Sequence, residues 1–334
     1  MEKEHSIKGK KILFFSPAFF DYESKIKSKM QEMGAIVDLY DGRSVTKARD
    51  RALMKIFPNI FNNRTIEYFN NILKENKDKN YDYIFIVKCD MMSKEILEEY
   101  HKTFPNAIFC LYLWDSIKNI KGISEKFGYF HRVFSFDKKD VEKTQNLQFR
   151  PLFYLDIYKK EVKTDNNYKY DFCFCGTIHA DRFKIIKKIF GICNEKKYRF
   201  YTYCYLQSNF IYYFYKITKS EFRLIPKEVF SFTKLSSQII SDLVDDSRVI
   251  LDIQHPKQSG LTMRTIEMVG MNKKLVTTNQ EIKKYDFYNP ENILVIDREN
   301  IVIPDAFLLT EYQSIDPEIY KNYSLENWIN DIFI

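Results

Sequence analysis

The chain has 334 residues, more than one typical domain and enough for two of roughly 150 residues each. A hydrophobic fraction of 45% supports packed cores, and a charged fraction of 29% is ordinary for a soluble protein. The formal charge of +7 is modest, and Lys and Glu alternate along most of the chain instead of forming a basic stripe, which argues against a nucleic-acid binder.

From the amino terminus, residues 1–11 are polar and charged, so no signal peptide is expected. Residues 11–17 (KILFFSP) predict a buried strand ending in a loop, and 22–33 a helix closed by Gly34. Further strands are predicted over 35–40, 83–89, 107–114 and 132–136, with polar helical segments between them. Continuous apolar strands alternating with helices predict a parallel, doubly wound sheet. The charged stretch 159–169 reads as a linker, and the same pattern then repeats. Strands are predicted over 170–176 and 197–206, with a helix over 180–193 between them, and later strands over 247–253, 274–278 and 292–296.

The expected fold is therefore α/β, with two Rossmann-like doubly wound domains over 1–158 and 159–310 facing a cleft. A helical tail over 311–334 is expected to pack back on the first domain. The six cysteines, Cys89, Cys110, Cys173, Cys175, Cys193 and Cys204, contain no Cys-x-x-Cys pair, and most lie in apolar, strand-like runs. They read as small buried hydrophobes of a reducing compartment. No apolar run approaches the ~20 residues that span a bilayer, so a cytoplasmic protein is expected.

Ligands of open α/β sheets sit at the carboxyl ends of strands. That rule selects residues 16–23, Asp90, Asp115, 176–182 and 255–262. None carries a Gly-x-Gly-x-x-Gly or Walker A motif, which disfavours a dinucleotide dehydrogenase and a P-loop kinase. The most informative stretch is 255–270 (HPKQSGLTMRTIEMVG), a polar loop leading from a buried strand into a helix. Ser259 is a candidate cap for that helix, and Gly260 allows close backbone approach to a ligand. Helix-start amides beside Lys257 and Thr262 suit an anion, and His255, which opens the loop, is a further candidate donor contact. Arg264 and Glu267, three apart, share one stripe of a mostly apolar helix. They either pair with each other or serve a ligand, the guanidinium meeting a diphosphate and the carboxylate a ribose diol.

The runs 259–267 (SGLTMRTIE) and 273–279 (KKLVTTN) resemble the donor-site signature of bacterial capsule and lipopolysaccharide glycosyltransferases. They are similar to the CgeB-like group within the GT-B fold. Residues 171–177 (DFCFCGT) with Arg182 resemble the opening strand and loop of that group's C-terminal domain, which adds Gly176, Thr177 and Arg182 to the donor contacts. Residues 112–116 (YLWDS) resemble an element of its N-terminal, acceptor-side domain. The resemblance implies transfer of a sugar from a nucleotide-sugar donor to a saccharide or lipid-linked acceptor, with no cofactor and no bound metal. Many retaining GT-B enzymes carry a second glutamate eight residues on; the residue eight after Glu267 is Leu275, so the stereochemistry stays open.

A base near the acceptor hydroxyl is sought in the first domain. Asp21 and Asp115 are the candidates, each with helix capping as its structural alternative, and Asp90 is third. His131 and His179 are possible bases or donor contacts. Residues 209–223 (NFIYYFYKITKSEFR) mix aromatic and basic side chains, a composition suited to peripheral contact with the inner face of a membrane or to a buried helix with a basic edge. The different-class rival is a non-catalytic nucleotide-sugar or partner-binding protein of GT-B shape. A GT-B-type nucleotide-sugar epimerase is a further reading.

Overall fold

Apolar runs bounded by polar segments become strands, and the central ones of each half, such as residues 83–87 and 274–277, are buried on both faces. The computed structural model describes residues 7–45, 61–163, 165, 167–256 and 259–333. The chain divides into two units, Met1–Pro151 with Leu325–Ile334, and Leu152–Ser324.

The first unit runs β1 (Lys11–Ser16), α1 (Tyr22–Glu32), β2 (Ile36–Asp41), α2 (Asn62–Asn76), β3 (Tyr83–Val87), α3 (Lys94–Thr103), β4 (Ile108–Leu113), β5 (Arg132–Ser135), α4 (Lys138–Lys143) and β6 (Gln148–Phe149). Its six strands lie in the order β2-β1-β3-β4-β5-β6, every pair parallel. Gly34, at φ +91°, ends α1 in the left-handed region, and its N–H donates to the Gln31 carbonyl at 2.9 Å.

The second unit runs β7 (Tyr170–Thr177), α5 (Arg182–Glu195), β8 (Phe200–Tyr205), α6 (Asn209–Thr218), β9 (Phe230–Ser231), α7 (Ser237–Asp245), β10 (Ser247–Asp252), α8 (Met263–Gly270), β11 (Lys274–Thr277), β12 (Ile293–Val295), α9 (Asp305–Leu309) and α10 (Pro317–Asn322). Its sheet is again all parallel, in the order β12-β11-β10-β7-β8-β9. Both sheets are of the doubly wound α/β kind. Two edge strands, β6 and β9, have no counterpart in the sequence reading because two residues leave no periodicity to detect.

After the second unit, α11 (Leu325–Phe333) belongs to the first. Trp328 is fully buried there, its ring 4.8 Å from Tyr112 and 5.8 Å from Phe85. Arg150 Nε meets Asp331 at 2.9 Å. All six cysteines are buried and reduced, and burial pushes the Cys89, Cys110, Cys193 and Cys204 thiols up to about 12. Among the described residues no helix is long and apolar enough to cross a membrane.

Candidate functional site

In the second unit β8 and β9 extend from β7 in one direction, while β10, β11 and β12 lie on its other side. The strand order reverses between β7 and β10, so their carboxyl ends border a crevice that no crossover fills. Arg182, at the start of α5, spans it. Its Nε donates to the Ile253 carbonyl at 2.6 Å and its Nη1 to the Thr177 carbonyl at 2.7 Å. A Cβ at Gly176 would crowd the Phe174 ring at 3.1 Å and come into ordinary contact with that Nη1 at 3.7 Å. Burial, together with the neighbouring Arg264 and Arg298 charges, lowers the Arg182 guanidinium to about 10.

A second strut comes from Arg298, beyond β12. Its Nη1 grips both oxygens of Asp181 at 2.9 and 2.8 Å, and its Nη2 donates to the Gln254 carbonyl at 2.9 Å. The loop between β7 and α5 is thereby tied to the loop after β10. Ala180, within it, takes φ +49°, and its carbonyl accepts from Lys219 Nζ at 2.5 Å. His179 and His255 rings lie 5.3 Å apart. Burial, then the Arg182 charge, lowers His179 to about 4, so its imidazole is neutral at pH 7.

The loop leading into α8 is held by Asp252, the last residue of β10. Its Oδ2 accepts from the hydroxyls of Thr262, at 3.0 Å, and Thr265. Thr262 caps α8, its hydroxyl accepting from Thr265 N–H at 3.1 Å. This corrects the expected cap, Ser259: the true cap stands three residues later, where its hydroxyl can also donate to Asp252. Asn279 steadies the Ser259 and Gly260 carbonyls through Nδ2, at 3.3 and 3.4 Å. Arg264 Nε lies 3.7 Å from Glu267 Oε2, so the two form an ion pair on α8, with the Glu267 carboxylate buried. Burial, then the Glu267 charge, raises the adjoining Tyr158 phenol to about 12.

Three buried polar side-chain atoms have no hydrogen-bond partner among the described residues and share this end of the sheet. They are His179 Nδ1, Gln254 Oε1 and Thr278 Oγ1, just past β7, β10 and β11. A buried polar atom left unpaired costs about 1–3 kcal/mol, so a cluster of them marks a place where a ligand or water completes the bonding.

Gly176, Thr177, Arg182, His255, Ser259, Gly260, Thr262, Arg264 and Glu267 thus stand on β7, α5 and α8 and the loops after β7 and β10. Lys257 lies outside the described residues. Asp252, Arg298 and Lys219 were not among the expected site residues, and Asp181 was covered only by the selected stretch 176–182. Asp252 carried the readable signal, a carboxylate closing an apolar strand. Arg298 meets Asp181 from 117 residues away and left none.

In the first unit Asp21 and Asp115 sit just past β1 and β4. Asp21 is exposed at φ +61° and makes no side-chain cap bond; Glu23 instead accepts from the Phe19 N–H at 3.0 Å. Asp21 does stand at the N-cap of α1, as its structural alternative has it, but its side chain makes no capping bond. Asp115 is not a cap, since Ser116 holds that position before the short turn Ile117–Asn119; its carboxylate accepts from Ser116 N–H at 3.0 Å, Asn119 Nδ2 at 2.7 Å and Lys88 Nζ at 3.2 Å. Asp90 pairs with Arg43 at 3.4 Å. His131 departs from expectation: it precedes β5, at the amino end of the strand, and its Nδ1 accepts from the Phe109 N–H at 2.9 Å. Its ring serves the sheet and is remote from the strand ends where a base would work.

No family model and no curated protein sequence matches the chain. Solved structures do. The chain is similar to the lipopolysaccharide outer core galactosyltransferase WaaB in its apo form, at 12% identity and a TM-score of 0.52, over 96% of this chain and 98% of that one. It is similar to HepE of Anabaena, solved with UDP and glucose, at 10% identity and a TM-score of 0.58, over 97% and 98%. Sucrose-phosphate synthase of Thermosynechococcus elongatus is a third, at 10% and 0.57, over 97% and 95%. At such identities the likeness speaks to fold alone, and the fold is GT-B: two Rossmann-like domains with parallel six-stranded sheets.

Proposed function

We propose that this protein is a glycosyltransferase that moves a sugar from a nucleotide-sugar donor to a saccharide or lipid-linked acceptor in surface polysaccharide biosynthesis, as in the CgeB-like group. The observation that carries the reading is that the Arg182, Arg264 and Arg298 charges act on one another at the β7/β10 switch point, where His179 Nδ1 and Gln254 Oε1 are buried without a hydrogen-bond partner among the described residues. The Arg264 and Arg298 charges disfavour the charged Arg182, and a diphosphate offsets that repulsion. Arg264 is assigned to the diphosphate and Glu267 to the ribose hydroxyls. Arg182 and Arg298 hold the two loops in place, and the neutral His179 supplies a hydrogen bond. The positive charge that stabilises the leaving diphosphate comes from guanidiniums and the start of α8, without a metal. The neighbour HepE, solved with UDP and glucose, supports a donor of this class.

The proton of the acceptor hydroxyl is assigned to Asp21 ahead of Asp115. The Asp21 carboxylate is exposed and makes no side-chain cap bond, whereas Asp115 is held by Lys88, Asn119 and Ser116. A thermal-shift series with UDP-, GDP-, CMP- and dTDP-sugars tests the donor site. One nucleotide class should raise Tm by about 3 °C or more at saturation, with EDTA present or absent. Arg264→Ala should abolish the shift and Glu267→Ala weaken it. Asp21→Asn should keep the shift and lower transfer by about 100-fold. The absence of a shift with every donor would defeat the reading; a shift without transfer or donor hydrolysis would favour the binding-protein alternative.

A further inference from the structure

Helix α6 is apolar on two sides. Inward, Tyr212 is buried with Ile211 and Tyr215 against Phe222 and Phe230 of the second unit's core. Outward, Phe210, Tyr213, Phe214 and Ile217 recur at the spacing i, i+3, i+4, i+7 and make one stripe. These side chains are 77, 55, 52 and 77% exposed, and Leu224, six residues past the helix, is 94% exposed. Among the described residues this is the longest run of large apolar side chains left in water. Soluble surfaces scatter such residues singly, and a contiguous aromatic stripe marks a surface that something covers.

The charge around the stripe narrows what that is. Residues 209–234 carry five basic side chains (Lys216, Lys219, Arg223, Lys227 and Lys234) against two acidic ones, Glu221 and Glu228. The helix itself has no acidic residue. Lys216 and Arg223 are exposed, and Lys216 Nζ lies 5.6 Å from the Tyr212 ring centre and donates to its hydroxyl at 3.4 Å, so its stem runs along the helix. A second copy docking through the same face would bring two such basic borders together and be repelled. An anionic bilayer accepts both parts: rings settle at the headgroup level while ammonium and guanidinium groups meet phosphates.

We propose that the outer stripe of α6, with Leu224 and the flanking Lys216 and Arg223, docks the protein on an anionic lipid surface. The face is fixed relative to the candidate site, because Lys219 at the end of α6 donates to the Ala180 carbonyl and stacks 4.2 Å over Tyr215. The loop bearing His179 therefore travels with the docked helix. The inference goes beyond the sugar-transfer reading, and neither stands on the other.

Co-sedimentation of the full chain tests it, with vesicles of phosphatidylcholine alone or mixed with phosphatidylglycerol. Binding is expected to the anionic vesicles and should fall as salt rises. The combined Phe210→Ser, Phe214→Ser and Ile217→Ser variant should bind about tenfold more weakly or worse, and so should Lys216→Glu with Arg223→Glu. The substituted side chains are exposed, so far-UV dichroism and Tm should hold. As a second measurement, Phe214→Trp emission should shift to the blue on adding anionic vesicles. Failure to sediment with anionic vesicles overturns the proposal. So does a dimer by light scattering that the serine variant dissolves while vesicle binding is unchanged.

Discussion

Arg182 and Arg264 carry the same functional group yet are placed for different work. Arg182 spends Nε and Nη1 on carbonyls at the ends of two strands, so it fixes the width of the crevice. Arg264 lies beside the Glu267 carboxylate on α8, and in the proposed function it is the residue that exchanges that partner for phosphate oxygens. His179 shows what such surroundings do to a titrating group. Its folded value is about 4, below the ordinary value of about 6.5 in the unfolded chain. Between those values the unfolded chain binds a proton that the folded one refuses. His179 therefore leaves the fold at full stability above about pH 6.5 and costs it progressively as pH falls toward 4. Denaturant unfolding near pH 7 and near pH 5 should show the wild type losing on the order of 1–2 kcal/mol more than His179→Asn. Equal losses would show that the ring charges without penalty.

At the scale of elements, α8 is the most constrained piece of the site. Thr265, Ile266, Glu267, Met268, Val269 and Gly270 are all buried, so the helix has almost no solvent face on which to relax. Gly270 ends it against Tyr154, where a Cβ would lie 2.5 Å from Cγ and 2.8 Å from Cβ of that side chain. Those atoms sit close to the backbone and cannot swing aside. Gly270→Ala should therefore cost about 2 kcal/mol by urea denaturation, despite the better helix propensity of alanine. A neutral or stabilising result would mean that Tyr154 yields. The existence and end of this helix are legible in its apolar run and terminal glycine. Its start is not, since Ser259 and Thr262 both suit a cap and only Asp252, ten residues before Thr262, decides between them.

Across the whole molecule the chain leaves its first unit at Pro151 and returns to it at Leu325. The return is held by large aromatic contacts: Trp328 on Tyr112 and Phe85, and Phe333 on Tyr83 at 4.9 Å. Trp328→Ala should cost about 3–5 kcal/mol and lower Tm by about 10 °C. The chain has two tryptophans, so Trp114, also in the first unit, becomes the sole reporter in that variant, and its emission on heating measures the loss where it occurs. An unchanged melting curve would mean that α11 is dispensable to the first unit.

The sequence by itself determined the two doubly wound α/β halves and the segment 255–279 as the place to look. Both follow from local physics: continuous apolar runs make buried parallel strands, and glycine and hydroxyl residues punctuate helices. Only the tertiary structure decided which strand ends meet. Strand order is a property of the assembled sheet, so the partnership of Arg182 with Ile253 and of Arg298 with Asp181 has no signature in the residues between them. The same holds for α6, whose composition reads alike whether its outer stripe faces a core or water. What covers each face depends on the packing of elements distant in the chain, and that packing leaves Phe210 and Ile217 outside.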